Sequence, residues 1–232
     1  MRIGYALLLS ISVGCGGVKA LTDAAMTPPD DAPRMCDPTA KFGAPMPIPG
    51  LGMFEGGTAR LSPDELTIYF SANSADLWVA HRNTLMEAFE TPTLITAQNS
   101  SAADVDPAVS SDGLTLWFGS NRIVNEGLHL YVATRASKLA EFGPPGLAAT
   151  VNATDKQQSD YEPFVTADGN ELWFTSTRPG GLGGYDIWRA TLTGNGFATP
   201  VIVSELNSSV DDFLPALSAD RLTPPSLDRR GG

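Results

Sequence analysis

One phrase recurs along this chain, and an internal repeat restricts the fold more than any other sequence feature. A polar turn built on an aspartate leads into a short apolar run that ends in two adjacent aromatics. The three copies are SPDELTIYFSA, SSDGLTLWFGS and TADGNELWFTS, which begin at residues 62, 110 and 166. A fourth copy begins at residue 218 as SADRLT and then meets Pro224-Pro225, where a strand cannot readily continue.

Other features recur at matching distances from the turn, so each unit contains about fifty residues. A second apolar run is written DLWVA, HLYVA and DIWRA, and an Asp-x-x-Pro element precedes the turn in three copies. Each unit offers about four short segments rich in aromatic and aliphatic residues and bounded by Gly, Pro, Asn and Asp, which is typical of strands. This pattern predicts an all-β partial β-propeller of three four-stranded blades plus the start of a fourth, with aromatics packed between the blades.

The repeats also resemble a known family. The runs SPDELTIYFSA, VSSDGLTLWFGSNR and VTADGNELWFTSTRPGGLGGYDIWRAT are similar to the TolB-like β-propeller repeat, also called the WD-repeat-like PD repeat, over about residues 56–223. The first copy departs from the pattern, because it has Glu65 at the turn glycine and lacks the arginine of the later copies. The resemblance implies a binding platform of the cell envelope without catalysis of its own.

The N-terminus predicts export. Residues 1–14 combine a basic start with an apolar run of eleven residues, which is too short to span a bilayer and is typical of a signal peptide. The run SVGC, ending at Cys15, resembles a bacterial lipobox and indicates lipid attachment to that cysteine. An ordinary cleaved signal peptide with an incidental cysteine is the alternative.

Three further ranges complete the predicted organisation. Residues 15–52 are proline-rich and predict a lipidated cysteine followed by an extended tether, or else a disordered remnant. Residues 53–223 hold the propeller repeats. Residues 224–232 are an irregular tail, and a frameshifted fragment of a longer propeller stays an open alternative.

Two sets of recurring residues are candidate sites. The turn residues are expected to be structural, because aspartate caps a turn by accepting backbone N–H bonds and glycine accepts positive φ; they are Asp64, Asp112, Gly113, Asp168, Gly169 and Asp220. The second set recurs around the Asp-x-x-Pro element and comprises Asp104, Arg122, Asp160, Arg178 and Asp212. These residues could form charge-assisted bonds within the repeat, or a ring of carboxylates at a channel mouth. Recurring residues usually serve the repeat itself, so function is expected at positions that differ between blades.

The remaining chemistry is limited. The net charge of −11 without any basic run argues against nucleic-acid binding. The sequence has no His or Cys pair with zinc-ligand spacing and no serine-hydrolase elbow, so we expect no catalytic residue, metal or cofactor.

We therefore expect a non-enzymatic lipoprotein of the bacterial envelope, in the periplasm or at the cell surface, that binds an envelope protein or a surface polymer. Its only membrane contact would be the lipid anchor. Two alternatives stay open: a glycan-acting hydrolase or lyase that uses Asp104 or Asp160, and self-association that covers the open edges of the blades.

Overall fold

A computed structural model describes residues 46–217, apart from residues 53, 55, 56, 73, 74 and 195. All regular secondary structure in this part of the chain is β-strand, so the all-β prediction is confirmed. None of the described residues forms a helix that is long and apolar enough to cross a membrane. The predictions for the signal peptide 1–14, Cys15, Asp220 and the tail 224–232 lie outside the described residues.

The strands form three antiparallel sheets, one for each repeat. Blade one contains β1 (Ala59–Leu61), β2 (Thr67–Ala72), β3 (Asp76–His81) and β4 (Thr93–Leu94); blade two contains β5 (Asp104–Val109), β6 (Thr115–Ser120), β7 (His129–Thr134) and β8 (Gly146–Leu147). Blade three contains β9 (Asp160–Val165), β10 (Glu171–Ser176), β11 (Asp186–Thr193), β12 (Gly196–Phe197) and β13 (Val201–Ile202). In blade three, β12 and β13 both pair with β11, and β13 takes the fourth position.

The paired aromatics of each second strand join neighbouring blades. Adjacent residues of a strand point to opposite faces, so each pair serves two interfaces. Tyr69 of blade one packs in one cluster with Phe118 and Tyr131 of blade two. Trp117 of blade two packs with Phe174 of blade three. The aromatics therefore fill the spaces between blades, as the repeat predicts.

The first strands β1, β5 and β9 lie next to one another and form the inner wall of the propeller. Residues 212–217 extend this arrangement beyond blade three. The Asp212 N–H donates to the Tyr185 carbonyl at 2.9 Å, as the Asp160 N–H does to the Leu128 carbonyl at 2.8 Å in the preceding copy. The start of the fourth copy thus occupies the place of a further inner strand.

The predicted tether ends earlier than the sequence suggests. Leu51 is 2% exposed, and it packs with Ile48 and Phe54 against Phe70 and Trp78 of blade one. These side chains cover the face of blade one that, in the later blades, contacts the preceding blade. The end of the range 15–52 is therefore part of the folded domain, because burial of a few apolar side chains outweighs the extended character of a proline-rich segment.

Candidate functional site

The turn aspartates cap their own hairpins. Each accepts one hydrogen bond from a hydroxyl two residues earlier and one from a main-chain N–H two residues later. The donors are Ser62 (2.5 Å) and Leu66 (3.1 Å) for Asp64, Ser110 (2.5 Å) and Leu114 (2.9 Å) for Asp112, and Thr166 (2.6 Å) and Asn170 (3.0 Å) for Asp168. The hydroxyl bond is the main reason why the pKa values of Asp64 and Asp112 lie below their usual range. These contacts are those of turn-capping residues.

The residue after each cap has a left-handed backbone. Gly113 and Gly169 have φ values of 73° and 71°, and Glu65 adopts 57° at the equivalent position of blade one. Glycine adopts this conformation at no steric cost, whereas a side chain costs about 1 kcal/mol. Blade one therefore keeps the turn geometry although it lacks the glycine.

The recurring Asp and Arg residues meet inside each blade. Asp104 is fully buried, and its Oδ1 accepts a hydrogen bond of 2.6 Å from Arg122 Nη2. Its Oδ2 accepts the N–H and O–H of Ser100, and Arg122 also donates to the Gln98 carbonyl at 2.6 Å. The guanidinium carbon of Arg122 lies 4.5 Å from the centre of the Tyr131 ring.

Blade three repeats this arrangement with other residues. Asp160, also fully buried, accepts from Arg178 Nη2 at 2.6 Å, and Arg178 donates to the Val151 carbonyl at 2.8 Å. In the fourth copy, Asp212 Oδ2 accepts the Ser208 N–H at 2.6 Å. Each Asp–Arg pair ties the chain entering a blade to its first two strands. This geometry favours the structural interpretation of these residues over a ring of carboxylates at a channel mouth.

Two carboxylates that the sequence analysis missed do reach the inner wall. Asp106 and Glu162 are the third residues of Asp-x-x-Pro in β5 and β9, and their φ values are 56° and 54°. Leu214 occupies the same position in the fourth copy, with a φ of 56°. The proline that follows has no N–H to donate, and the pairing of β5 and β9 shifts register there. The resulting bulge changes the direction of the side chain before the proline.

Hydrogen bonds link these positions from one copy to the next. Thr58, at the corresponding place in blade one, donates its hydroxyl to Asp106 Oδ1 at 2.6 Å. Glu162 Oε2 accepts the Thr175 hydroxyl at 2.7 Å and the Leu214 N–H at 2.9 Å. The main-chain N–H of Glu162 in turn stabilises the Asp106 carboxylate.

These side chains line a cavity of about 380 Å³, which we call the inner-strand site and define by Thr58, Asp106, Tyr161, Glu162 and Leu214. Glu162 is only 8% exposed, and Asp106 is half-buried. An aromatic row borders the cavity: the Tyr161 ring lies 5.7 Å from that of Tyr185, which lies 5.0 Å from that of Phe213.

The charges in the inner-strand site are only partly compensated. Burial, followed by repulsion from Asp106, raises the pKa of Glu162 to about 7. Burial also raises the pKa of Asp106, and the positive charge of Arg60 opposes both effects. The Glu162 carboxyl therefore exchanges its proton near neutral pH, where catalytic acids and ligand-dependent groups commonly titrate.

A second cavity, of about 510 Å³, lies at the turn end of the inner strands. Its lining is mainly apolar and includes Leu61, Val109, Phe164 and Leu217. This cavity is larger than the inner-strand site, but its lining residues do not include a group of interacting charges comparable to Asp106, Glu162 and Arg60. The inner-strand site is therefore the stronger candidate for function.

One sequence signal could have identified the inner-strand site. Position three of the repeated element is threonine, aspartate, glutamate and leucine in successive copies, while the flanking aspartate and proline recur in the last three. Function was expected at positions whose residue differs between blades, and this position is one of them.

Among the described ranges, no group of three or more His, Cys, Asp or Glu could hold a metal ion.

No family model matches the chain. No curated protein matches it either. Among solved structures, the chain is similar to TolB from Acinetobacter baumannii, at 20% identity over 72% of this chain and 37% of that one, with a TM-score of 0.48. A thermostable family-43 glycoside hydrolase matches at 16% identity over 68% of this chain and 57% of that one, with a TM-score of 0.46.

A third structure, putative TolB from Agrobacterium tumefaciens, matches at 16% identity over 72% of this chain and 67% of that one, with a TM-score of 0.38. The chain thus spans less than two thirds of the first two structures. The predicted all-β fold of consecutive four-stranded blades is confirmed by the three antiparallel sheets themselves. With TM-scores below 0.5, these likenesses carry no argument about this chain.

Proposed function

We propose that this chain is a binding platform of the bacterial cell envelope, held at a membrane by lipid on Cys15, and that it binds an envelope protein or surface polymer at the inner-strand site. One observation carries the proposal. Two carboxylates in mutual electrostatic contact face a cavity at an inner-wall position that holds threonine, aspartate, glutamate and leucine in successive copies.

The energetics of the site support a role beyond folding. The left-handed backbone is shared by Asp106, Glu162 and Leu214 and belongs to the repeat, but only Asp106 and Glu162 place a carboxyl there. The charge of Glu162 is disfavoured by burial. The Asp104–Arg122 pair, in contrast, is closed by its own hydrogen bonds and repeats in blade three. Unfavourable terms that collect at a variable position are typical of binding sites.

Crosslinking from inside the cavity tests the platform. A photoreactive residue replaces Leu128, which lines the inner-strand site, or Leu139, which is 99% exposed on the loop after β7. We expect an adduct of defined mass on intact cells from position 128 and not from position 139, and its loss when Glu162→Ala is added. Equal adducts from both positions would contradict binding at this site.

The anchor is tested separately. Cells are labelled with a lipid precursor, and the protein is compared with its Cys15→Ser variant. We expect label and membrane association in the first and neither in the second. An unlabelled wild-type protein rules out the anchor and leaves the binding site untouched.

A second candidate is hydrolysis of a glycan. The observation that favours it is a carboxyl with a pKa of about 7 beside a second carboxyl on the adjacent inner strand, which is the pairing needed for general acid–base chemistry. The residues to test are Glu162 and Asp106, since Asp104 and Asp160 are engaged by arginines. Turnover on a glycan panel that is lost in both Glu162→Gln and Asp106→Asn would favour the enzyme over the platform.

A further inference from the structure

One oxygen of the Glu162 carboxyl is left unused by the folded chain. The side chain belongs to a residue that is only 8% exposed, and its Oε2 accepts from Thr175 and Leu214. The other oxygen, Oε1, receives no hydrogen bond from the residues that the structure describes, yet it is not sealed from solvent. Since Glu162 lines the cavity, this acceptor is available to a ligand that brings a donor.

The carboxyls of the inner-strand site also lack a close cation. Asp106 adds a second carboxylate to the same cavity, and neither it nor Glu162 forms an ion pair with a described residue. Asp104 and Asp160, in contrast, each hold an arginine at 2.6 Å. Arg60 acts on the inner pair through its charge alone. The site therefore offers acceptors and negative charge to a positively charged donor.

Apolar and aromatic side chains also line the cavity. Val105, Leu128 and Leu214 lie in its wall together with the Tyr161 ring, which stands at 81° to the ring of Tyr185. Aromatic rings attract cations through their quadrupole, and apolar walls accommodate the methylene groups of lysine and arginine. The lining thus suits a ligand that carries a cationic head on an apolar stem.

We propose that the inner-strand site receives a lysine or arginine side chain of a protein partner, whose cationic head pairs with Glu162 and Asp106 and whose stem packs against Leu128 and Leu214. This inference rests on the proposed function and deepens it, because it selects a protein partner and names the group that is bound. A charge on a flexible stem reaches a carboxyl as buried as Glu162. The amine of an amino sugar is attached directly to a ring, so a protein is favoured over an amine-bearing polymer.

Binding of a cation is linked to ionisation of Glu162. Burial, followed by Asp106, raises its pKa to about 7, and Arg60 opposes both. A cation binds the ionised form, whose share grows from about a tenth at pH 6 to about nine tenths at pH 8, so the affinity should rise about tenfold between these pH values. Lysine and arginine side chains keep their charge throughout this range.

The other ionisable groups near the pair do not reverse this direction. Burial raises the pKa of Asp106 as well, so its ionisation also favours cation binding as the pH rises. The pKa of Tyr161 is raised mainly by burial, with smaller contributions from charges that include Tyr185 and Asp211. Tyr161 therefore stays neutral between pH 6 and pH 8.

Titration of the full chain with amino-acid derivatives tests the inference without any partner. The probes are the Nα-acetyl methylamides of lysine, arginine and norleucine; norleucine has nearly the same aliphatic stem as lysine and no charge. Binding is followed through amide NMR signals, including that of Leu214. At pH 8 we expect a cationic probe to bind at least about tenfold more tightly than norleucine, and Glu162→Gln to lose about tenfold. Glu90→Gln on the exposed surface is the matched control and should keep the wild-type affinity.

Three results would overturn the proposal: no preference for either cationic probe over norleucine, an undiminished affinity in Glu162→Gln, or the same affinity at pH 6 and pH 8. Glucosamine that binds as tightly as the lysine probe would overturn it too, in favour of an amine-bearing polymer. The two proposals fail separately. A crosslinked partner without cation binding contradicts this inference alone, whereas cation binding without a crosslinked partner contradicts the proposed function alone.

Discussion

The replacement of Glu162 by glutamine offers the sharpest test of the electrostatics, because the variant keeps the shape of the side chain and removes its ability to ionise. The glutamine carbonyl can still accept from Thr175 and Leu214, the two donors that Glu162 Oε2 serves. The substitution therefore separates the effect of the charge from the effect of the packing.

The magnitude follows from the pKa of Glu162, which rises from an ordinary 4.5 to about 7 on folding. Each tenfold change in proton affinity corresponds to about 1.4 kcal/mol. The folded state therefore binds the proton more tightly, and its stability falls as the pH rises from about 4.5 to about 7 by a total of about 3 kcal/mol. Above pH 7 the loss is complete, and below pH 4.5 it is absent.

The quantity to compare is the free energy of unfolding of Glu162→Gln minus that of the wild type. We expect this difference to be about 3 kcal/mol larger, in favour of the variant, at pH 8 than at pH 4.5. The assay is equilibrium unfolding in urea at both pH values, and Glu90→Gln on the exposed surface is the matched control. A difference between Glu162→Gln and wild type that is the same at both pH values would refute the reasoning, since a purely steric effect does not depend on pH.

Three further predictions concern stability and can be checked by thermal or urea unfolding at neutral pH. Arg178→Met leaves the buried Asp160 carboxylate without its partner and should cost about 3–5 kcal/mol, most of which Asp160→Asn should restore in the double variant; full additivity of the two changes contradicts the pair. Gly169→Ala should cost about 1 kcal/mol through its φ of 71° alone, because a Cβ there meets open space; an unchanged midpoint contradicts the left-handed turn. Leu51→Ala should cost about 2–5 kcal/mol while the exposed Met46→Ala is neutral, and equal effects would exclude this segment from the fold.

Much of the architecture could be predicted because the same local interactions recur in each copy of the repeat. The capped turn at Asp112 and the adjacent aromatics Trp117 and Phe118 depend only on turn chemistry and on the two-residue period of a strand. Both are properties of neighbouring residues, so they can be read before any fold is known. The blade order follows from the same period and from the need to bury both aromatic faces.

The directions of the side chains in the Asp-x-x-Pro element could not be predicted from the sequence pattern. A regular strand would turn Asp104 and Asp106 to the same face, so the sequence pattern treats them alike. In the structure Asp104 is enclosed with Arg122, while Asp106 reaches the cavity, because a left-handed residue before Pro107 interrupts the alternation. A bulge of this kind depends on which strand lies alongside, which the sequence does not state.

The sequence by itself determined the repeat, the β-strands, the turn caps and the aromatics between blades, since each depends on residues close together along the chain. Only the tertiary structure decided that Asp106 and Glu162, 56 residues apart, share one cavity with Leu214 and are both stabilised by the charge of Arg60. Their altered proton affinities arise from burial and from charges on neighbouring blades. Both exist only after the inner strands have come together.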